Sequence, residues 1–239
     1  MTFLWRICFS TLLASTLQAA TVRGRVHLEN SRESSVTKRQ DFSGVVLWLT
    51  PAEGQESASA PRVSSATMVQ KNKTFSPHIL AVEVGARVAF PNYDPIFHNA
   101  FSSYDGRVFD LGLYPPGTTR SVKFDRSGIV RVFCNIHSSM SAVIVVVANP
   151  WFATTAAGGA FEISGVPDGE YTLQVFHERA TATTLNALMR KLTIRGSDVD
   201  LGPVRISEAG YLPLPHKNKY GAEYGPENEN IPAYPATRK

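Results

Sequence analysis

The chain has 239 residues, with 24 Lys and Arg against 20 Asp and Glu, for a formal net charge of +4. Hydrophobic residues make up 43% and charged residues 18%, a globular composition that excludes a disordered polymer. The densest basic stretches are only Thr37-Lys38-Arg39 and Lys71-Asn72-Lys73. No basic stripe or recognition motif accompanies them, so nucleic-acid binding is not expected.

Residues 1–20 read as a signal peptide. Arg6 is its only charge, Phe9 to Leu17 is apolar and rich in small residues, and Gln18-Ala19-Ala20 offers a cleavage region. The apolar run is short and broken by Ser and Thr, too poor to span a bilayer. No later run is long enough to do so. Export to the periplasm is therefore expected, with secretion as the alternative. Removing this leader removes Cys8 and leaves Cys134 as the one cysteine. A single thiol in an oxidising compartment is a liability unless something occupies it, and a metal is the obvious occupant.

Next come two strand-like pieces. Val22 to Leu28 alternates apolar and polar residues, and Gly44 to Leu49 is a buried-strand run stopped at Thr50-Pro51. Residues 52–65 have a linker composition. From 66 onward short strands follow closely: Ile79 to Val84, Ala86 to Phe90, His98 to Ser102, Thr118 to Phe124, Ile129 to Cys134 and Ala142 to Val147. Asp94-Pro95, Asp105-Gly106, Pro115-Pro116-Gly117 and Ser127-Gly128 mark the turns between them. Many short strands at this spacing predict an all-β sandwich or barrel. Residues 149–207 add strands at Phe161-Glu162-Ile163, Tyr171 to His177, Lys191 to Arg195 and Pro203 to Ile206, with one short helical turn expected within Thr183 to Arg190. About four strands are few for an independent sandwich. The favoured topology therefore joins 21–50 with 149–207 and inserts 66–148 between them; the alternative adds 21–50 to the 66–148 unit. Residues 208–239 show no periodicity and read as a flexible or loosely docked tail.

The chemistry concentrates in Cys134-Asn135-Ile136-His137-Ser138-Ser139-Met140. A thiolate, an imidazole and a thioether stand at C-x2-H-x2-M, between two β runs, with His98 upstream. Two His, one Cys and a weak axial Met form the donor set of blue-copper electron-transfer sites. Period-two alternation puts Cys134 on the face of Val130 and Val132, with Arg131 outward. A buried thiolate is costly unless a cation neutralises it. Zinc also takes Cys and His, but methionine is an unusual zinc ligand, which favours copper. A Cys134–His137 nucleophilic pair would lack an orienting acid and an oxyanion hole, so no catalytic residue is assigned and the protein is not expected to be an enzyme. His177 is expected to be a hydrogen-bonded core or rim histidine, and His78 a surface residue, with a second metal contact as the alternative; His27 and His216 have no evident partner.

Residues 66–148 resemble the cupredoxins, especially plastocyanin and amicyanin, on Thr74 to Pro77, on Val82 to Asn92, on His98-Asn99 and on Gly128 to Met140. The short ligand spacing is closer to amicyanin. That resemblance implies one type 1 copper ion held by His98, Cys134 and His137 with Met140 axial, and Asn99 ordering the loop beneath the thiolate. It also implies an apolar patch of Pro95, Ile96, Ile136 and Met140 around His137, where redox proteins dock transiently. The wider chain is similar to periplasmic proteins called methylamine-utilisation or plastocyanin-like. Residues 149–207 resemble the carboxypeptidase regulatory-like, or transthyretin-like, domain on Thr155 to Phe161 and on Gly165, Pro167, Gly169 and Tyr171, with Val22 to Val26 fitting its opening strand. The function implied is periplasmic electron transfer. A copper-binding or delivery protein, and a cell-envelope structural or carbohydrate-binding module, are the alternatives.

Overall fold

A computed structural model of the chain describes residues 19–54, 64–103, 106–213 and 215–225. The leader expected over 1–20 lies outside these residues apart from its last two, as do most of the 52–65 linker and the end of the tail. The described chain is nearly all β, as its composition predicts.

Strand β1 (Ala20–Glu29) and helix α1 (Ser34–Arg39) lead into β2 (Val46–Pro51). The chain returns to the same neighbourhood more than a hundred residues later with β13 (Phe152–Thr154), β14 (Ala160–Val166), β15 (Gly169–Phe176), α2 (Ala182–Leu188), β16 (Arg190–Ile194) and β17 (Val199–Ser207). The early and late strands pair with one another. One sheet has the order β14-β1-β17 and the other β13-β2-β15-β16. Between them lies a core that includes Val22, Val26, Leu47, Leu49, Trp151, Phe161, Ile163, Tyr171 and Leu173. Helix α2 overlaps the Thr183 to Arg190 segment expected to hold a helical turn, starting one residue earlier, and is capped by Thr181 Oγ1 accepting from the Thr184 N–H at 3.2 Å. Helix α1 was not expected: six residues with one buried apolar side chain, Val36, carry no readable period.

The intervening chain builds a second sandwich. It contains β3 (Ser65–Thr67), the hairpin β4 (Val69–Lys71) and β5 (Thr74–Ser76), β6 (Ile79–Glu83), β7 (Arg87–Pro91), β8 (Phe101–Ser102), β9 (Phe109–Asp110), β10 (Thr119–Lys123), β11 (Gly128–Phe133) and β12 (Ser141–Val147). The sheet β10-β7-β3 faces the sheet β6-β12-β11-β8-β9 across Met68, Phe75, Val88, Phe90, Tyr114, Phe124, Val130, Val132, Cys134, Met140 and Ile144. The strand expected over 98–102 is regular only at Phe101 and Ser102; His98 instead forms an isolated bridge with Tyr114.

Strand β12 explains its own sequence. Its run Ser-Ala-Val-Ile-Val-Val-Val is apolar without alternation because both faces are covered. Ala142, Ile144 and Val146 enter the second core. Val143, Val145 and Val147 point the other way and pack with Val46 and Phe176 of β2 and β15. The outer faces of the two sandwiches thus share a third, smaller core.

Candidate metal centre

Three segments meet at one end of the second sandwich. Cys134 follows β11, continues its inward face and is fully buried. The next residues turn back at once: Met140 N–H donates to His137 O at 3.1 Å, and Cys134 N–H donates to Met140 O at 3.0 Å. This seven-residue loop begins and ends in the core, because Met140 is buried in the same cluster as Cys134. His137 is half-buried on its crest.

His98 arrives from the loop after β7, and buried side chains fix its path. Asn92 Oδ1 accepts from the Asp94 N–H at 3.0 Å, while its Nδ2 donates to Ile96 O at 2.8 Å. His98 then exchanges backbone hydrogen bonds with Tyr114, at 2.9 and 3.3 Å. Tyr114 is buried, its phenol donates to Phe90 O at 2.9 Å, and burial pushes its pKa up to about 12.

The His98 ring is sandwiched between two functions. Its Nε2 lies 2.7 Å from Asp94 Oδ2, and its Nδ1 lies 3.9 Å from Cys134 Sγ. A carboxylate only accepts, so Nε2 carries the proton and the Nδ1 lone pair faces the thiol. Burial opposes charge on Asp94, but the Lys73 N–H at 2.8 Å, the His98 ring and the Asn72 N–H at 2.6 Å outweigh it and hold the carboxyl below its ordinary range. Burial depresses the His98 pKa, which keeps the imidazole neutral and able to bind a cation.

His137 Nδ1 lies 3.7 Å from Cys134 Sγ, and the two imidazole rings are 4.9 Å apart at 64°. Among the described residues, the donor atoms of His98, Cys134 and His137 fall within 4.8 Å of one another. An ion with bonds of about 2.3 Å to sulfur and about 2.0–2.1 Å to nitrogen, at tetrahedral to trigonal angles, sets sulfur and nitrogen roughly 3.6–3.8 Å apart. The residues therefore fit a first-row metal ion: a buried thiol that bears no disulfide, two nitrogen lone pairs and a thioether on the same loop.

The sequence-predicted donors His98, Cys134 and His137 come together, and Met140 lies in the core behind them. Two neighbouring expectations need correction. Met140 is wholly buried, so it cannot belong to a surface patch; of the residues expected there, Pro95 and Ile136 are exposed and Ile96 is half-buried. The Asn99 side chain reaches Asp110, with Nδ2 donating to Oδ1 at 2.7 Å, while its own Oδ1 is buried without a hydrogen-bond partner.

Residues 215–225, expected to be loose, dock on this site. His216 stacks on Phe133 with ring centroids 4.0 Å apart and donates from Nε2 to Ser138 O at 2.8 Å. Tyr224 donates its phenol proton to Cys134 O at 2.7 Å. Lys219 N–H donates to Asn135 Oδ1, and its Nζ donates to Asp110 Oδ2. Sequence reasoning missed His216 and Tyr224 because the segment has no period. The available signal was Phe133, an aromatic residue on the outward register of β11 that would otherwise face water.

Two further histidines belong elsewhere. His177 is buried against Glu208, at 2.8 Å, as expected of a core histidine. His78 is half-exposed, but it is held by Glu178 Oε2 at 2.5 Å and donates to Ser141 O at 3.0 Å.

No protein-family model matches the chain, and no curated protein matches it in sequence. Similar solved structures include a purple cupredoxin from Nitrosopumilus maritimus, 23% identical over 34% of this chain and 99% of that one, with a TM-score of 0.32. An amicyanin mutant in its reduced state is 20% identical over 42% of this chain and 99% of its own, with a TM-score of 0.33. The copper-containing nitrite reductase of Thermus scotoductus SA-01 is 23% identical over 41% of this chain but only 25% of its own, also with a TM-score of 0.33.

Proposed function

We propose that the chain is an exported, mononuclear type 1 copper protein of the cupredoxin type that carries electrons between protein partners in the periplasm and is not itself an enzyme. One observation carries this reading: the buried Cys134 thiol faces the Nδ1 atoms of His98 and His137 at 3.9 and 3.7 Å, on a loop that returns through buried Met140. Residues 66–148 would be the copper-holding domain, inserted into a transthyretin-like, or carboxypeptidase regulatory-like, domain of 21–50 and 149–207. The pairing of β1 and β2 with strands after residue 150 supports that division.

His98, Cys134 and His137 would hold the ion, with Met140 as the weak fourth donor. When bound, copper supplies one-electron chemistry by alternating between Cu(I) and Cu(II). The residues supply a site that does not need to move. Strand β11 fixes Cys134, Asp94 fixes the His98 ring, and the two loop hydrogen bonds hold His137 and Met140 relative to the strand ends. His137 is the donor nearest solvent, beside exposed Ile136, and so marks the side on which a partner docks. Four protein donors leave no position for a substrate, which favours a carrier over a catalyst.

Visible absorption and copper EPR during titration with Cu(II) test this reading. An intense thiolate-to-copper band with a narrow hyperfine splitting is expected. A colourless protein with ordinary copper signals would reject it.

A further inference from the structure

The tail is bonded to the parts of the chain that a metal site must keep still. Tyr224 takes up the carbonyl of Cys134, His216 takes up the carbonyl of Ser138, and Lys219 N–H takes up the side chain of Asn135. Three of the seven residues in the 134–140 loop are thereby tied to one external segment. The second donor segment is tied to it as well, because Lys219 Nζ grips Asp110, and Asp110 takes the side-chain amide of Asn99, next to His98. Burial opposes charge on Asp110, but hydrogen bonds from Lys219, Gly112 and Asn99 hold its carboxyl below the ordinary range.

The segment is also knitted to itself. His216 Nδ1 lies 3.2 Å from Tyr224 Oη with the rings at 84°, and Asn218 Oδ1 accepts from the N–H groups of Tyr220 and Ala222. It is a folded strap that covers the outward ring of Phe133, leaving that residue 6% exposed. A hydrophobic cover would need only the stacking of His216 on Phe133. The hydrogen bonds do something else: they fill the acceptors Cys134 O and Ser138 O, and so fix the peptide plane that leaves Cys134 and the one that follows Ser138, next to His137 in the loop.

We propose that residues 215–225 form a positioning strap that holds the 134–140 loop in its donor-converging shape before a metal ion arrives, with Tyr224 and His216 as the positioning residues. This rests on the reading of that loop as a metal-ligand loop. Without the strap, the loop's own two backbone hydrogen bonds hold it less firmly, and whatever ordering is left to the ion comes out of the binding free energy. A strapped loop has met that cost during folding.

The test uses the full chain and its Tyr224→Phe and His216→Ala variants, first without metal. Hydrogen exchange at the Cys134 and Met140 amides reports opening of the loop, and exchange at Ile144 and Val145 reports the sheet behind it. Each variant removes one hydrogen bond from the strap to the loop together with the His216–Tyr224 contact, and His216→Ala also removes the stacking on Phe133, so loop exchange is expected to rise at least roughly tenfold while sheet exchange stays constant. The same proteins loaded with Cu(II) are expected to show an altered hyperfine splitting and faster copper loss to a chelator. Unchanged loop exchange in both variants overturns the proposal. So does faster exchange with unchanged copper spectrum and release, since the strap would then be a cover and nothing more. The two readings fail separately: a full chain with no blue band but a responsive loop sinks the copper reading and keeps the strap, and a blue protein with an unresponsive loop does the reverse.

Discussion

Cys134 and Asp94 carry different burdens within one site. Cys134→Ser keeps the size of the side chain but replaces a soft thiolate with a hydroxyl that does not ionise near neutrality. The thiolate-to-copper band is expected to vanish, and a surviving blue colour in the variant would disprove the donor set. Asp94 touches no donor atom facing the cavity, yet it selects which His98 nitrogen is protonated. Asp94→Ala leaves a buried ring N–H without a partner and frees the imidazole to rotate. Metal affinity is expected to fall about 10–100-fold, read by competition with a chelator. The convergence of His98, Cys134 and His137 was legible in the sequence because the C-x2-H-x2-M spacing after a strand, with a histidine upstream, leaves few other arrangements for a buried thiol. Asp94 was legible only as a turn residue before Pro95, because its carboxylate meets His98 through a loop shape that depends on buried Asn92.

The 134–140 loop and the turns that brace the sheets are the elements at which the proposed function and the stability are best tested. Met140→Leu keeps the buried volume and removes the sulfur. Copper is expected to stay bound while the potential shifts, as cyclic voltammetry would show, and an unchanged potential would reject Met140 as a donor. The turn before β14 is tighter. Gly159 has φ +75°, and a Cβ placed on it would stand 2.1 Å from Val26 O. Gly159→Ala must distort the approach of that turn to β1 and is expected to cost about 1–3 kcal/mol in denaturant unfolding. The strands themselves were largely readable, since Val22 to Leu28, Ile129 to Cys134 and Ala142 to Val147 carry either the period of two or an unbroken apolar run. The strap was not readable, because its order comes from hydrogen bonds to a distant loop rather than from its own pattern. Tyr224 and Cys134 are 90 positions apart.

At the scale of the whole molecule, His78 joins the two sandwiches. It donates to Ser141 O at the start of β12 and pairs with Glu178 just after β15. The hydrogen bond to Glu178 raises its pKa above the ordinary value of 6.5, against the opposing effect of burial. Folding therefore favours protonated His78. The stabilisation is fully present below the unfolded value and is lost as the pH climbs through the raised one. Because the side chain is half-exposed, screening limits the effect to no more than about 1 kcal/mol. The difference in melting temperature between the parent and His78→Gln is expected to be largest in mild acid and to close as the solution becomes alkaline. A difference independent of pH would show that the ion pair contributes nothing.

The pairing of β1 with β17 has a consequence in time. Thr21 and Asp198 are bonded across 177 positions, whereas the strands that enclose the thiol are all present once Val147 has been made. During synthesis, the inner sandwich can close while β1 still waits for its neighbour. Long-range pairings of this kind form slowly. The outer sandwich is therefore expected to form around inner sheets that are already paired, with the 215–225 strap docking only after β17 has been made, and β1 with its open edges is the part of a half-finished chain most in need of a chaperone.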